Sequence, residues 1–274
     1  MAEYNNKQMF QILNIIAVVG TIFVNYLANA LPINGIDTRE LSDAIPNLFV
    51  PAGLTFAIWG VIYILIILFA AYQARDLFKK EKIEMPFIKK TSYYFFLAGI
   101  ANIAWIFAWH YQQVFLSFII MLVLLGSLIK LYLNLGIGKE IVSRKERIFV
   151  QIPISVYLGW ITVATIANAT ALLVVLSMQN SINLNLLGFS QVFWTIFVIA
   201  AALIITLLMI ITRKDVAYSL VVVWALLGIY IKRTDITYGV QNDIALAAAV
   251  CAVIIVLGIL LEVGADLFFR KQKS

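Results

Sequence analysis

Trp160, Ala164 and Asn168 follow one another at intervals of four residues, which places them along one stripe of a helix. An indole ring stacks on flat apolar groups, an amide offers hydrogen bonds, and a small alanine lets another group approach closely. This combination suits two roles. It can bind a flat, largely apolar ligand in a cavity between helices, or it can pack membrane helices against one another.

Two earlier segments of the chain carry similar patterns of aromatic and amide side chains. The positions at helical spacing are Phe56, Trp59 and Tyr63 after Pro51, and Asn102, Trp105 and Trp109 in the following segment. From spacing alone, helix packing with Trp109 in an aromatic belt at the membrane interface is the simpler interpretation. The alternative is a cavity walled by tryptophans, in which a tyrosine or asparagine binds a carboxylate or carbonyl group.

The composition indicates that these segments lie in a membrane. The chain has 274 residues, of which 63% are hydrophobic and only 12% are charged, and its mean hydropathy is +0.98. About a quarter of the residues of a soluble domain are charged, so this much apolar surface predicts a polytopic membrane protein. The net charge of +6 then reports membrane topology rather than nucleic-acid binding. With Cys251 as its single cysteine, the chain has no intramolecular disulfide and no cysteine cluster for zinc or iron–sulfur.

Long apolar runs recur along the chain and predict an all-α bundle of about eight transmembrane helices. The predicted spans are 11–31, 53–74, 91–109, 114–135, 148–176, 190–212, 216–231 and 244–268. The span 216–231 is the shortest, so its length least favours a full crossing. A cleaved signal peptide is a competing interpretation of the first span, because an Ala28-x-Ala30 pattern lies at its end. Its three asparagines and its near-full length favour a retained helix instead.

Lysine and arginine are distributed unevenly over the loops. They are concentrated in 74–90, 138–147, 212–215 and 270–274, whereas 110–113 and 177–188 have neither. By the positive-inside rule, this pattern places both termini and the basic loops in the cytoplasm, in a prokaryotic inner membrane. Lys232 and Arg233 do not follow the rule. Either they snorkel from a helix end, or the span 216–231 is misassigned.

Taken in order, the three patterns resemble the tryptophan-rich sensory protein family, TspO, which includes the mitochondrial translocator protein once called the peripheral benzodiazepine receptor. The matching positions are Pro51, Phe56, Trp59 and Tyr63 in the second helix, Asn102 and Trp105 in the third, and Tyr157, Trp160, Ala164 and Asn168 in the fifth. The resemblance covers about residues 10–176 and implies a TspO-like five-helix core over 1–176. Residues 177–274 would add three helices, as in the longer prokaryotic branch of the family, within a single integrated membrane domain.

The resemblance implies that the core binds a hydrophobic small molecule, such as a porphyrin, haem, a haem breakdown product or a sterol-like compound, and that no cofactor is required. The predicted ligand-binding residues are Phe56, Trp59, Tyr63, Asn102, Trp105, Tyr157, Trp160, Ala164 and Asn168. The tryptophans would stack on the ligand, Asn102 would be a polar handle and Ala164 would allow close approach. Asn168 could instead bridge helices. The first loop, 32–52, departs from the family pattern because it is acidic and lacks tryptophan, which leaves the identity of the ligand open.

Two further features have alternative interpretations. The only histidine, His110, could be an axial haem ligand, but its position beside the loop 110–113 favours an interfacial histidine. Glu262, Asp266 and Arg270 are spaced by four residues, which favours a ladder of ion pairs near the cytoplasmic end of the last helix. Proton coupling through Glu262 is the alternative.

No nucleophile–base pair, phosphate-binding glycine loop or metal-ligand spacing occurs in the sequence, so we do not predict an enzyme. The family resemblance leaves a weak porphyrin-degrading activity open. The preferred hypothesis is a membrane protein that binds a tetrapyrrole-like ligand and senses, regulates or transports through it. The alternatives are a secondary transporter of a small hydrophobic or amphipathic substrate, and a membrane scaffold or partner subunit. Expected partners are the ligand and membrane lipids, not nucleic acid, and a homodimer is left open.

Overall fold

The chain folds into a bundle of long helices, without strands in residues 2–31, 33–179 and 188–271, which a computed structural model describes. The α-helices in chain order are α1 (Ala2–Ala30), α2 (Thr38–Ala44), α3 (Ile58–Gln73), α4 (Phe87–Thr91), α5 (Tyr94–His110), α6 (Val114–Asn134), α7 (Arg144–Glu146), α8 (Ile152–Met178), α9 (Gln191–Arg213), α10 (Val216–Thr234) and α11 (Asn242–Lys271). Short 3₁₀ turns form at Ile33–Gly35, Gly53–Ala57 and Ile236–Tyr238, and a π-helical turn forms at Arg147–Gln151.

Seven helical stretches among the described residues are long and apolar enough to cross a membrane, which confirms the predicted all-α polytopic bundle. They are Asn6–Ala30, Gly53–Gln73, Val114–Asn134, Arg144–Met178, Gln191–Arg213, Val216–Thr234 and Asn242–Asp266. The remaining predicted span forms α5, an apolar helix of 17 residues at the lower limit of the crossing length. The shortest of the eight is therefore α5, and not the span 216–231, which belongs to the 19-residue α10.

An interruption of the helix before α5 explains why α5 is short. The apolar run predicted a helix from residue 91, but the short α4 forms first and ends at Thr91. The chain then turns at Ser92, whose φ of 47° is incompatible with a continuous right-handed helix. By contrast, α8 extends the helical turns that begin at Arg144, and Pro153 lies in its first turn, where a missing N–H costs little.

The first five long helices, which we call the core (α1, α3, α5, α6 and α8), and the later ones, which we call the added helices (α9, α10 and α11), pack together through α8 and α10. Gly159 of α8 lies so close to α10 that a Cβ there would come within 3.0 Å of Tyr218 O. At the beginning of α10, the Asp215 carboxylate accepts hydrogen bonds from Tyr132 Oη of α6 at 2.8 Å and from Ser155 Oγ of α8 at 2.7 Å. On its other sides α10 packs against α9 and α11. The added helices are thus joined to the core by a buried polar contact as well as by close packing.

The predicted basic segments 74–90, 138–147 and 212–215 lie together at one end of the bundle, which we call the basic end. There Lys7 of α1 forms an ion pair with the buried carboxylate of Asp76, which follows α3. Burial alone would raise the pKa of Asp76, but hydrogen bonds from Lys7, Gln11 and the Ile83 N–H hold the pKa below its ordinary value. This carboxylate therefore ties the first two long helices together at the basic end.

Glu262 and Asp266, near the end of α11, also belong to the basic end. Lys214, between α9 and α10, pairs with Glu262 at 2.5 Å and with Asp266 at 2.8 Å. The bonds to Asp266 and Glu262 raise the pKa of Lys214. The predicted ladder along α11 is therefore centred on a lysine from a neighbouring turn, while the side chain of its third predicted member, Arg270, lies outside the described residues.

Lys232 and Arg233 do not snorkel into solvent, and their span is not misassigned. α10 continues through both residues to Thr234, and each of the two residues is only 4% exposed. They contact the segment 33–52, between α1 and the 3₁₀ turn that precedes α3, which we call the lid. Asp43 of the lid pairs with the Lys232 ammonium. The charge that breaks the positive-inside rule is thus paired within the protein.

Candidate functional site

Aromatic side chains of α3 and α8, with one from the turn before α3, pack against one another inside the core. The Trp59 ring stacks on Tyr63 with a centroid separation of 5.8 Å and meets Tyr157 and Trp160 edge-on at 6.3 and 6.2 Å. Phe56 also meets Trp160 edge-on, at 6.0 Å. Edge-on contacts of this kind suit the quadrupoles of the rings. Two of the three predicted aromatic stripes therefore form one cluster.

A small space, which we call the inner cavity, lies beside this cluster and under the lid. Its volume is about 50 Å³. Six of the nine predicted ligand-binding residues line it, namely Phe56, Trp59, Trp105, Trp160, Ala164 and Asn168. The rest of its wall consists of Thr38, Ser42, Val50 and Pro51 from the lid, Trp109 from α5, and Val163, Ala167 and Ala171 from α8. Four of the six tryptophans of the chain therefore meet at one cavity.

A larger space, the outer crevice, opens on the other side of Phe56 and Trp59, between α1, α2 and α3. Its volume is about 370 Å³, and Tyr63 contributes to its wall. Its polar lining includes Asn25, Asn29 and Arg39. Because Thr38, Phe56 and Trp59 line both spaces, these side chains form the partition between the crevice and the inner cavity.

Three indole N–H groups at the inner cavity are buried without a hydrogen-bond acceptor among the described residues. They belong to Trp105, Trp109 and Trp160. An indole N–H can only donate, and a buried donor without an acceptor costs about 1–3 kcal/mol. The nearby Asn168 uses its Oδ1 to accept from Ser117 Oγ of α6 at 3.1 Å, so this amide bridges two helices. A ligand with carbonyl or carboxylate oxygens could supply the missing acceptors.

Asn102 and Tyr157, which were predicted to bind the ligand, line neither space. Asn102 Oδ1 accepts from Asn25 Nδ2 at 2.7 Å and thereby joins α5 to α1. Tyr157 Oη lies beside Asn102, yet neither this oxygen nor Asn102 Nδ2 forms a hydrogen bond of ordinary geometry with a described residue. Helical spacing places a residue on one face of its helix, but it does not determine whether that part of the face borders a cavity.

The single histidine holds the lid at the end of the bundle opposite the basic end. His110 is fully buried, and its Nε2 lies 2.9 Å from Thr38 Oγ1 while its Nδ1 lies 3.1 Å from Ile33 O. The Asn34 amide donates to His110 O at 3.0 Å. Both ring nitrogens are thus engaged by the lid, which does not support the axial haem ligand interpretation. No group of three or more His, Cys, Asp or Glu side chains in the described part of the chain could hold a metal ion.

The lid residues of the cavity were missed by the sequence analysis, although one local signal was present. Asp37 and Glu40 form a capping box, in which Asp37 Oδ1 accepts from Glu40 N at 2.8 Å and Glu40 Oε2 accepts from Asp37 N at 3.3 Å. An aspartate followed three residues later by a glutamate predicts a helix start there. The resulting helix α2 carries Thr38 and Ser42 on the side that borders the inner cavity.

The fold and its apolar helices define an integral membrane protein with a tryptophan-walled cavity between its helices. The family model described as TSPO-like protein matches residues 11–261, and the chain belongs to that family. The match continues beyond the five-helix core through α9 and α10 into α11, so these added helices lie within the matched range. No curated protein and no solved structure matches the chain.

Proposed function

We propose that this protein binds a flat, hydrophobic molecule of the porphyrin or wider tetrapyrrole type in the space under the lid, and that it senses, regulates or transports through that ligand. The observation that carries the proposal is the inner cavity itself, where four tryptophans meet and three of their N–H groups have no acceptor among the described residues. Stacking suits a flat ring system, and donors without acceptors suit its carbonyl or carboxylate groups. Sites of this kind are mostly apolar with a few polar groups that set orientation.

The size of the cavity adds a condition to this proposal. A volume of about 50 Å³ is far below the several hundred Å³ of an ordinary small-molecule site. If Trp59 and Phe56 move aside, the inner cavity and the outer crevice merge into roughly 400 Å³, which lies within the ordinary range. Binding therefore requires the partition to open, and the Arg39 guanidinium at the crevice then offers a partner for an acidic group of the ligand.

Tryptophan fluorescence in purified protein tests the proposal, with protoporphyrin as the probe. We expect saturable quenching, and we expect Trp160→Ala to raise the Kd about tenfold or more, since a buried tryptophan in a binding site contributes strongly. Trp160→Phe keeps an aromatic ring without the N–H and should have a smaller effect. Trp194→Phe is the matched control, because Trp194 packs in a separate cluster with Phe193 and Phe197 on α9. Absence of saturable quenching, or an unchanged Kd in Trp160→Ala, contradicts the proposal.

Binding with a sensory or regulatory role is preferred over ion-coupled transport. Glu262 and Asp266, on which coupling would depend, pair with Lys214 at the basic end, whereas the inner cavity lies under the lid at the other end. We further infer that the basic end faces the cytoplasm of a prokaryotic cell, because lysine and arginine are concentrated in its loops. Substrate flux in proteoliposomes that depends on Glu262 would favour transport instead.

A further inference from the structure

We propose that α10, one of the helices added to the five-helix core, clamps the lid over the inner cavity, and that Lys232 and Arg233 are positioning residues of the ligand site. Lys232 and Arg233 are two cations that lie buried at the end of α10. The ion pair of Lys232 and the side-chain hydrogen bond of Arg233 both run to the lid. The effect on ligand exchange rests on the proposed function, whereas the clamp itself can be tested without a ligand.

The first contact is a largely buried ion pair. The Lys232 ammonium pairs with the Asp43 carboxylate, and the two side chains are only 5% and 25% exposed. The ammonium also lies 4.9 Å from the centre of the Tyr238 ring. A buried cation is destabilising unless it is paired, so Lys232 favours the position of the lid in which Asp43 can reach it. Asp43 directly follows Ser42, which lines the inner cavity.

The second contact fixes the lid from both sides at Asn47. Arg233 Nη2 donates to Asn47 O at 3.3 Å. The side chain of the same asparagine turns to the core, where its Nδ2 donates to Ala167 O at 3.0 Å and to Thr170 Oγ1 at 2.9 Å. Asn47 therefore joins α10 to α8 through the lid, and Val50 and Pro51, which border the cavity, follow within four residues.

The third set of contacts lies one and two turns earlier on the same face of α10. Gly228 O accepts from Ala52 N at 2.9 Å, and Trp224 Nε1 donates to Thr55 O at 2.9 Å. Trp224, Gly228 and Lys232 are spaced by four residues, so a single stripe of α10 makes these contacts. The stripe follows the chain from Asp43 to the turn that carries Phe56, one of the residues that divide the two spaces. A displacement of α10 would therefore move the lid and the partition together.

Labelling of a single cysteine tests the clamp in the protein without ligand. In a Cys251→Ala background, Ser42→Cys places a thiol on the buried, cavity-facing side of the lid. We expect Lys232→Ala and Asp43→Asn to raise the rate of maleimide labelling about tenfold or more, because each leaves one charge of a buried pair without its partner. Lys214→Ala is the matched control, since it breaks an exposed ion pair of the added helices at the basic end and should leave the rate unchanged.

Two further measurements keep the outcomes distinct. Exchange of the charges in Asp43→Lys with Lys232→Asp should restore slow labelling, which a role of Lys232 in folding alone would not produce. If Lys232→Ala does not fold, Asp43→Asn tests the same ion pair from the lid side.

Stopped-flow quenching with protoporphyrin should then show that both association and dissociation are faster in Asp43→Asn. Unchanged labelling in the folded variants overturns the clamp, whereas absent protoporphyrin binding with faster labelling overturns only the proposed ligand.

Discussion

His110 Nε2 lies 2.9 Å from Thr38 Oγ1, in a fully buried position that joins the end of α5 to the first residue of α2. The other ring nitrogen, Nδ1, lies 3.1 Å from Ile33 O. A carbonyl can only accept, so Nδ1 carries a proton, and in the neutral ring Nε2 accepts from the Thr38 hydroxyl. The single histidine of the chain thus supports the lid through both of its ring nitrogens.

Replacement of Thr38 by valine tests this support. Valine keeps the shape of the side chain but removes the hydroxyl, so His110 Nε2 loses its partner in a buried site. We expect the free energy of unfolding to fall by about 1–3 kcal/mol, and the amides of residues 38–50 to exchange faster with deuterium. Equilibrium unfolding in detergent and hydrogen exchange measure the two effects.

Thr212→Val is the matched control for Thr38→Val. Thr212 is exposed, and its hydroxyl bonds to Leu208 O of its own helix at 2.6 Å, so its loss should change the free energy of unfolding little. If both variants exchange their lid amides at the same rate, the contact between Thr38 and His110 does not hold the lid.

The apolar spans could be predicted from the sequence because each depends on local composition and length. Spacing places Trp59, Trp105 and Trp160 on single helix faces, but by itself it favoured helix packing. The family resemblance assigned these residues to a ligand site, and all three line the inner cavity. Trp109 shows the limit of this reasoning. Its position near a loop suggested an interfacial belt, but it is only 5% exposed and lines the inner cavity, because the lid covers this end of α5.

The lid itself could not be placed from the sequence, because its partners lie far away along the chain. Asp43 and Lys232 are separated by 189 positions, and Asn47 and Thr170 by 123. No local period relates such residues. The sequence did mark Lys232 as an exception to the charge rule for loops, and that exception is what a cation paired inside the protein should produce.

Asp215 is expected to be the most sensitive polar position between the core and the added helices. It accepts from Tyr132 Oη and Ser155 Oγ of the core, and it also caps α10 by accepting from Tyr218 N at 3.0 Å. Asp215→Ala leaves two buried hydroxyls and one helix end without an acceptor, so we expect it to lower the free energy of unfolding by about 3–5 kcal/mol. Ser155→Ala removes one donor and should cost about 1 kcal/mol.

Asp235→Ala is the control for Asp215→Ala within the added helices. Asp235 also caps a helical turn, because its carboxylate accepts from Thr237 N at 2.8 Å. This cap lies at the surface, and among the described residues it does not involve the core. Denaturant unfolding followed by circular dichroism measures all three variants. A loss in Asp215→Ala no larger than that in Asp235→Ala would show that the buried contact does not join the two parts.

Gly228→Ala should separate α10 from the segment that precedes α3. A Cβ at residue 228 would lie 1.9 Å from Thr55 Oγ1 and 2.9 Å from Pro51 Cβ, so the two segments cannot keep their present separation. Overpacking of this kind costs about 1–3 kcal/mol or more, and the Trp224–Thr55 hydrogen bond should weaken with it. We expect a lower midpoint of thermal unfolding together with faster labelling of Ser42→Cys.

Gly60→Ala makes the same change on α3, where a Cβ would have no atom within 4 Å. Alanine is favoured over glycine in a helix by about 1 kcal/mol, so this variant should be neutral or slightly stabilising. Addition of Thr55→Ala to Gly228→Ala removes the nearest clashing atom and should recover part of the loss. Of the two glycines, only Gly228 lies where α10 approaches the cavity wall closely. Equal effects of Gly228→Ala and Gly60→Ala would therefore mean that this close approach does not determine the position of the lid.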